Sequence, residues 1–543
     1  ITAQIRRDSI PIAEITTYIE LIPPGSRRGP FRIAPIAAVD DPGPDASERQ
    51  LTTAFDAVDT IGLLAERTPH PITFAIPPGV LTLMADRAPD RLARFLDQID
   101  GNDMAIVLPI EPFDPSSAAA VDFGEDFATR MDLGEQEIGR VLPGTPVTRD
   151  VWLVDDRMTA AGASLLRDGG VDLFVTPYDR YASWLSASSI PMDPRFTDPT
   201  LLIGAEIDRN DDTRTIVDLA IVDPILDLVS PDPGGRPALE RAVEIMTLTS
   251  ASRLELGPDL RSMVLATPDL GVPDPAVVEA LARLTSSHPE YSWQDAARVD
   301  GSTNSFFVGG VEFVVDLDTR PSQSLTERVA VVEGTRFAAA DVASMLPSDD
   351  ARPDAWRSEL RIALSTAVSD ASAEERLESI AADLDEIRGW LRQPEPFAFT
   401  LVDTESAIPL RIENTGPVPL TIGVRAEAAQ LSFPEGEVLR VLEANTTTDI
   451  DIPVVVRSNG VFPVEVEFMT PAGGPILSPI SLTARVNSLT GLGRVVTVGA
   501  LLVLLTWWFS YFHRRRRAVV LASRERHPAN VDVAPPDPTD VAG

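Results

Sequence analysis

The stretch Met104-Ala105-Ile106-Val107-Leu108-Pro109 decides how the first half of the chain folds: a short apolar run closed by proline and followed by Ile110-Glu111-Pro112-Phe113-Asp114. Runs of the same kind recur at residues 32–39, 72–76, 148–154, 171–175, 215–221 and 262–266. Amphipathic helical patterns, such as those at 51–65, 89–99, 159–167 and 238–251, lie between them. Strand and helix in alternation are an α/β signature. With right-handed crossovers, repeated βα units either close into a barrel or open into a doubly wound sheet. About seven strands without a Gly-rich nucleotide fingerprint favour the (β/α) barrel, here a degenerate one.

A barrel of this kind places its working residues on the loops that follow the strands. In that position stand Asp40 and Asp41 after the first strand, Glu111 and Asp114 after the third, Asp155 and Asp156 after the fourth, and Tyr178 with Asp179 after the fifth. Asp40, Asp41, Glu111, Asp114, Asp155, Asp156 and Tyr178 are therefore the candidate ligand-binding set. Two carboxylates across a cleft also meet the needs of glycoside hydrolysis, one as acid and one as base or nucleophile, and on that reading Asp40, Glu111 and Asp156 carry it. Against both readings, an Asp just past a strand is commonly a helix N-cap or a turn former.

Composition removes several other chemistries. All 46 basic residues are Arg, 82 residues are acidic and the net charge is −36, so the body of the chain repels nucleic acid. Cysteine is absent, which eliminates disulfides, thiolate-bound zinc and thiol catalysis. The four histidines, His70, His288, His513 and His527, show no helical pairing, so no metal site and no cofactor is expected. No Gly-x-Ser-x-Gly elbow is present, and Gly491-Leu492-Gly493 lacks the strand-to-helix setting of a phosphate loop.

The rest of the chain divides by pattern. Residues 1–28 read as the remnant of an upstream β domain, which makes the start look truncated, and 29–320 as the barrel. Residues 321–395 form a connector with a helical spacer, in which Leu377, Ile380, Leu384, Ile387 and Leu391 recur at steps of three and four. Turn signals such as Asn414-Thr415-Gly416 and Asn459-Gly460 punctuate 396–488 and argue for an immunoglobulin-like sandwich. Residues 495–512, VVTVGALLVLLTWWFSYF, sit inside an expected transmembrane helix at 489–513. Trp507, Trp508, Tyr511 and Phe512 would meet the membrane interface, and Arg514, Arg515, Arg516 and Arg517 would face the cytoplasm. The Pro- and Asp-rich end of the tail at 514–543 is expected to stay disordered. The expected location is a bacterial plasma membrane, with the N-terminal domain outside.

Val107-Leu108-Pro109-Ile110-Glu111-Pro112-Phe113-Asp114, Asp150-Val151-Trp152-Leu153, Gly169-Gly170-Val171-Asp172, Arg261-Ser262-Met263-Val264-Leu265-Ala266 and Ile408-Pro409-Leu410-Arg411-Ile412-Glu413-Asn414 occur in an order that resembles an uncharacterised family of actinobacterial single-pass membrane proteins, often encoded beside the lipid II flippase. The resemblance implies a barrel similar to polysaccharide deacetylases and glycosidases, an immunoglobulin-like domain and a link to cell-envelope construction. Asp40-Asp41 is similar to the Asp pair of metal-dependent deacetylases, but their His-x-x-x-His motif is missing. The expectation is a non-catalytic envelope protein that binds a glycan, a lipid-linked wall precursor or a membrane partner, including cell-wall synthesis or precursor-transport proteins. The alternative is a metal-independent glycoside hydrolase.

Overall fold

The computed structural model describes residues 2–16, 30–187, 192–210, 213–231, 235–256, 259–487 and 490–521. The chain forms two compact units, one built from residues 1–339 with 351–383 and the other from 340–350 with 384–543.

Unit 1 begins with an antiparallel hairpin of β1 (Thr2–Arg7) and β2 (Ile10–Thr16). The α/β body then runs β3 (Phe31–Ala38), α1 (Glu48–Arg67), β4 (Thr73–Ala75), α2 (Pro78–Arg87), α3 (Pro89–Gln98), β5 (Met104–Ile106), α4 (Pro115–Ala120), α5 (Gly124–Val141), β6 (Val147–Thr148) and β7 (Val151–Leu153). It continues through α6 (Ala160–Asp168), β8 (Leu173–Pro177), α7 (Tyr178–Ala187), β9 (Ile203–Asn210), β10 (Thr213–Val222), α8 (Ala238–Leu256), β11 (Arg261–Leu265), α9 (Pro275–Thr285) and β12 (Tyr291–Trp293). The short strands β13 (Phe307–Val308), β14 (Val311–Glu312) and β15 (Val314–Asp316) follow, and then the helices α10 (Thr326–Ala343), α11 (Arg352–Ala363) and α12 (Asp370–Gly389).

Apart from the two-stranded β1-β2 and β13-β14 ribbons, these strands make two sheets, not one closed ring. The first has the order β11-β3-β4-β5-β6, all parallel, with β12 also on β3; the second has the order β15-β9-β10-β8-β7. The chain passes from one sheet to the other between β6 and β7, so the sheets follow each other round as a half-barrel. The expected barrel is corrected here, and the cause is β9. It turns back antiparallel along β10 and occupies the edge that β11 would need in order to close the ring. Pairing does not extend from β10 to β11 among the described residues.

The apolar runs earn their burial. Phe31, Ile33, Ile36, Phe74 and Ile106 are at most 1% exposed, and helix α1 presents Phe55, Val58, Ile61 and Leu64 to the same core. Helix α1 starts where Ser47 and Gln50 form a reciprocal capping box. A second core beneath α4–α7 gathers Phe113, Phe127, Trp152, Phe174 and Trp184. Gly134 lets α5 lie flush on the loop after β5, since a Cβ there would collide with the carbonyl oxygen of Leu108.

Unit 2 holds β16 (Leu391–Arg392), β17 (Ala398–Leu401), β18 (Glu405–Asn414), β19 (Leu420–Glu427), β20 (Leu431–Ser432), β21 (Glu437–Leu442), β22 (Thr446–Val456), β23 (Gly460–Met469) and β24 (Pro475–Val486). They form two sheets, β16-β18-β22-β20 and β17-β24-β23-β19-β21. Along β18, Ile408, Leu410 and Ile412 are buried and their neighbours exposed, the period-two pattern of a sheet with one wet face. The turn after β18 is fixed by Asn414, whose amide donates to the carbonyls of Val418, Leu442 and Glu443 and accepts from Gly416 N–H at 2.9 Å.

The last helix, α13 (Thr490–Leu521), corrects a second expectation. Trp507, Trp508, Ser510 and Tyr511 dilute its apolar character. Among the described residues no helix is long and apolar enough to cross a membrane. The transmembrane segment at 489–513 and the single-pass plasma-membrane placement built on it are therefore withdrawn, and with them the interfacial role of Trp507, Trp508, Tyr511 and Phe512. The side chains of Arg514, Arg515, Arg516 and Arg517 lie outside the described residues, as does the tail expected to be disordered.

Candidate functional site

Strands β3, β4, β5 and β7 all end on the same side of the half-barrel, and the residues beyond their ends surround a cavity of about 500 Å³. Asp40 and Asp41 reach it from β3, Pro77 from β4, Leu108, Pro109, Phe113 and Asp114 from β5, and Asp155, Asp156 and Arg157 from β7. Asp269 and Leu270, beyond β11, complete that side. Ligands of open α/β sheets favour this position, since the strand ends leave a crevice there.

Five of the expected residues, Asp40, Asp41, Asp114, Asp155 and Asp156, thus line one space. Each is held differently. Asp114 caps α4, accepting from the Ser117 N–H at 2.7 Å and the Ser117 hydroxyl at 2.6 Å. Asp156 accepts from the Arg157 N–H at 2.8 Å and lies 3.8 Å from the Arg180 guanidinium. Asp41 accepts from the Gly43 N–H at 2.8 Å. Among the described residues no arginine lies in ion-pair range of Asp41 or Asp155.

The acidities follow from those surroundings. Asp41 is exposed to the cavity, yet desolvation by the protein around it pushes its carboxyl up to about 6, against the pull of the Gly43 hydrogen bond. Burial is also the main cause raising Asp155, with the negative charges of Asp156 and Asp114 adding to it. Asp114 is raised by burial, the hydrogen bonds from Ser117 and Ser116 opposing and the charge of Asp156 assisting. A cavity wall that holds several carboxyls away from their usual range is a feature of functional sites.

Two expected members lie elsewhere. Glu111 turns away from the cavity to Arg361, 3.2 Å from its Nε, and to the buried Arg130, 3.8 Å from its Nη1. Removing a carboxylate of that kind from water demands such partners, which the sequence alone did not display. Tyr178 packs near Tyr181, with ring centroids 6.4 Å apart; burial raises its hydroxyl, and Asp193 adds to the shift.

Several lining groups escaped the sequence reading. Trp152, 8% exposed, lies inside the run at 148–154 that read simply as a strand, and Phe113, 2% exposed, lies in the loop after β5 between the acids singled out there. Ser322, Gln323, Thr366 and Ala367 come from the region read as a spacer. Arg130 lies under the site with its guanidinium 4.4 Å above the Phe113 ring. Among the described residues no group of three or more His, Cys, Asp or Glu side chains is placed to hold a metal ion. His70 instead stacks on Trp293, with centroids 4.9 Å apart.

Fold and cavity together define an α/β half-barrel with an acidic, partly aromatic site at its strand ends. No family model matches the chain, and no curated protein matches it. Among solved structures it is similar to an alpha-mannosidase from Enterococcus faecalis V583, at 12% identity and a TM-score of 0.42, over 85% of this chain and 57% of that one. It is similar to the alpha-amylase AmyC from Thermotoga maritima at 11% identity and 0.41, over 66% of this chain and 93% of that one. A 4-alpha-glucanotransferase from Thermococcus litoralis matches at 12% identity and 0.36, over 56% of this chain. The chain spans 44% of that glucanotransferase's length. These neighbours have glycosidase-like folds, and at such scores the likeness assigns neither a family nor an activity.

Proposed function

We propose that unit 1 binds a neutral, hydroxyl-rich ligand, a glycan, in the cavity at the ends of β3, β4, β5 and β7, without catalysing its cleavage. One observation supports this reading: aspartates from three strand ends and the aromatic side chains of Trp152 and Phe113 line the same space. Carboxylates accept hydrogen bonds from sugar hydroxyls, and the apolar part of the lining receives the C–H groups of a sugar. The surplus of carboxylates over the single guanidinium of Arg157 works against anionic ligands. Absence of cleavage fits the fate of the acids, since Glu111 is tied to arginines and Asp114 is spent as a helix cap.

Titration calorimetry with neutral glucan, mannan and N-acetylglucosamine oligomers tests the proposal. Saturable binding is expected, weakened roughly tenfold by Asp155→Asn, the loss of about one charge-assisted hydrogen bond. If no oligomer binds, or if the variant binds as well as the parent, the cavity is not a glycan site.

Hydrolysis is a second reading, favoured by Asp41, whose carboxyl near 6 keeps a proton available around neutral pH. It requires turnover of one of the same oligomers that Asp41→Asn abolishes. Binding without turnover removes it.

A further inference from the structure

The segment between α11 and α12, read from sequence as part of a spacer, is a wall of the cavity. Thr366 and Ala367 line it, and they are pinned from behind by a residue distant in sequence. Arg328 on α10, 8% exposed, donates from Nη1 to the carbonyls of Ala363 at 3.4 Å and Ser365 at 3.0 Å. Its Nη2 donates to the carbonyl of Val368 at 3.1 Å and to the Asp370 carboxylate. One guanidinium therefore satisfies three carbonyls of a loop that has no ladder of its own, and leaving those buried acceptors unpaired would be costly.

The same loop bonds to the opposite wall. Thr366 N–H donates to Pro112 O at 3.0 Å, the Ser365 hydroxyl donates to Pro112 O at 2.8 Å, and Asp114 N–H donates to the Thr366 hydroxyl at 3.3 Å. Movement of residues 363–370 would thus be felt directly at Asp114 and Phe113. A planar fork with five donors suits this task, and a lysine, with a single ammonium, cannot span the same set of carbonyls.

We propose that Arg328 is a positioning residue of the cavity: it holds residues 363–370 against the Pro112 and Asp114 loop and so sets how far the cavity opens. The proposal rests on the cavity being the working site, yet its test needs no ligand. Because the chain has no cysteine, a single Ala38→Cys on the cavity lining reports access through its rate of labelling by a neutral maleimide. A second reporter, Ala242→Cys on α8, is fully buried and reports loosening of the whole unit.

In the Arg328→Gln background the cavity reporter is expected to label roughly tenfold faster, with the α8 reporter unchanged and faster amide exchange confined to 363–370 and 108–117. Arg328→Lys, which keeps the charge, should give a smaller change in the same direction and serves alone if the Gln variant does not fold. An unchanged rate at Ala38→Cys in the folded variants overturns the proposal. So does a parallel rise at both reporters, which would make Arg328 a general stabiliser. A wild-type chain that binds no oligomer while the cavity reporter still responds rejects the glycan reading and leaves the positioning role standing.

Discussion

The parallel strands of unit 1 carry acid at both ends, and the two ends surround it differently. Beyond the carboxyl ends of β3 and β7, Asp41 and Asp155 face open space, and the rise that desolvation imposes on them is opposed mainly by backbone N–H groups. At the amino end of β8, Asp218 on β10, level with Leu173, shares a hydrogen bond with Asp300, while Asp172 and Glu312 add further negative charge. Burial first, then that hydrogen bond, pushes Asp218 up to about 7. Glu111 shows a third outcome, neutralisation by arginine. An acid next to a strand end is therefore not yet a site; the nature of its neighbour, space or carboxylate or guanidinium, decides what it does.

The comparison breaks most visibly at the arginine that supports the cavity side. Arg130→Met removes a fully buried guanidinium from Asp126 and Glu111 and from the Phe113 ring, and the expected loss is about 3–5 kcal/mol in urea unfolding. An unchanged midpoint would mean that this network does not secure the site. At the opposite end, Asp218 binds its proton more tightly folded than unfolded. Its favourable contribution is thus complete below about pH 4 and is lost as pH rises through about 7. Asp218→Asn should remove that loss, stabilising the chain by roughly 2 kcal/mol at pH 8 and by almost nothing at pH 4.

The smaller effects sharpen the contrast. Asp41→Asn has the same sign over the window from about pH 4 to about 6, but water in the cavity screens the group, so a gain of only about 1 kcal/mol at pH 7.5 is expected. A gain as large as that of Asp218→Asn would show the cavity to be as closed as the acid pair. Asp114→Ala deletes a helix cap, which costs about 1 kcal/mol, while relieving repulsion with Asp156; the net loss in thermal unfolding should be roughly 0.5 kcal/mol.

Much of the site lay open in the sequence because it follows from strand ends. The expected runs at 104–109 and 148–154 coincide with β5 and with β6 and β7, and the aspartates placed just beyond them reach the cavity. The general expectation that an Asp past a strand end caps a helix is met by Asp114 at α4, whereas α6 beyond Asp155 and Asp156 is capped by Thr159. Trp152 was hidden because an aromatic residue inside a buried strand has the same local pattern whether or not a cavity adjoins it. Thr366 and Gln323 were hidden because they come to the site from more than 200 residues beyond Asp114, as the 252-residue separation of the Asp114–Thr366 hydrogen bond shows. The apolar run at 495–512 misled because its local pattern counted Trp507, Trp508 and Tyr511 as interface residues, whereas among the described residues no helix is long and apolar enough to cross a membrane.

By itself the sequence determined the alternation of apolar runs and amphipathic helices and the acidic strand ends, because each depends on residues within a few positions of one another. Only the tertiary structure decided that β9 would occupy the edge needed to close a ring, that Glu111 would pair with arginine while Asp41 and Asp155 faced a cavity, and that residues 363–370 would form its wall. Those outcomes depend on which distant groups share a space once the chain has packed, and burial and electrostatics act through that space, not along the sequence.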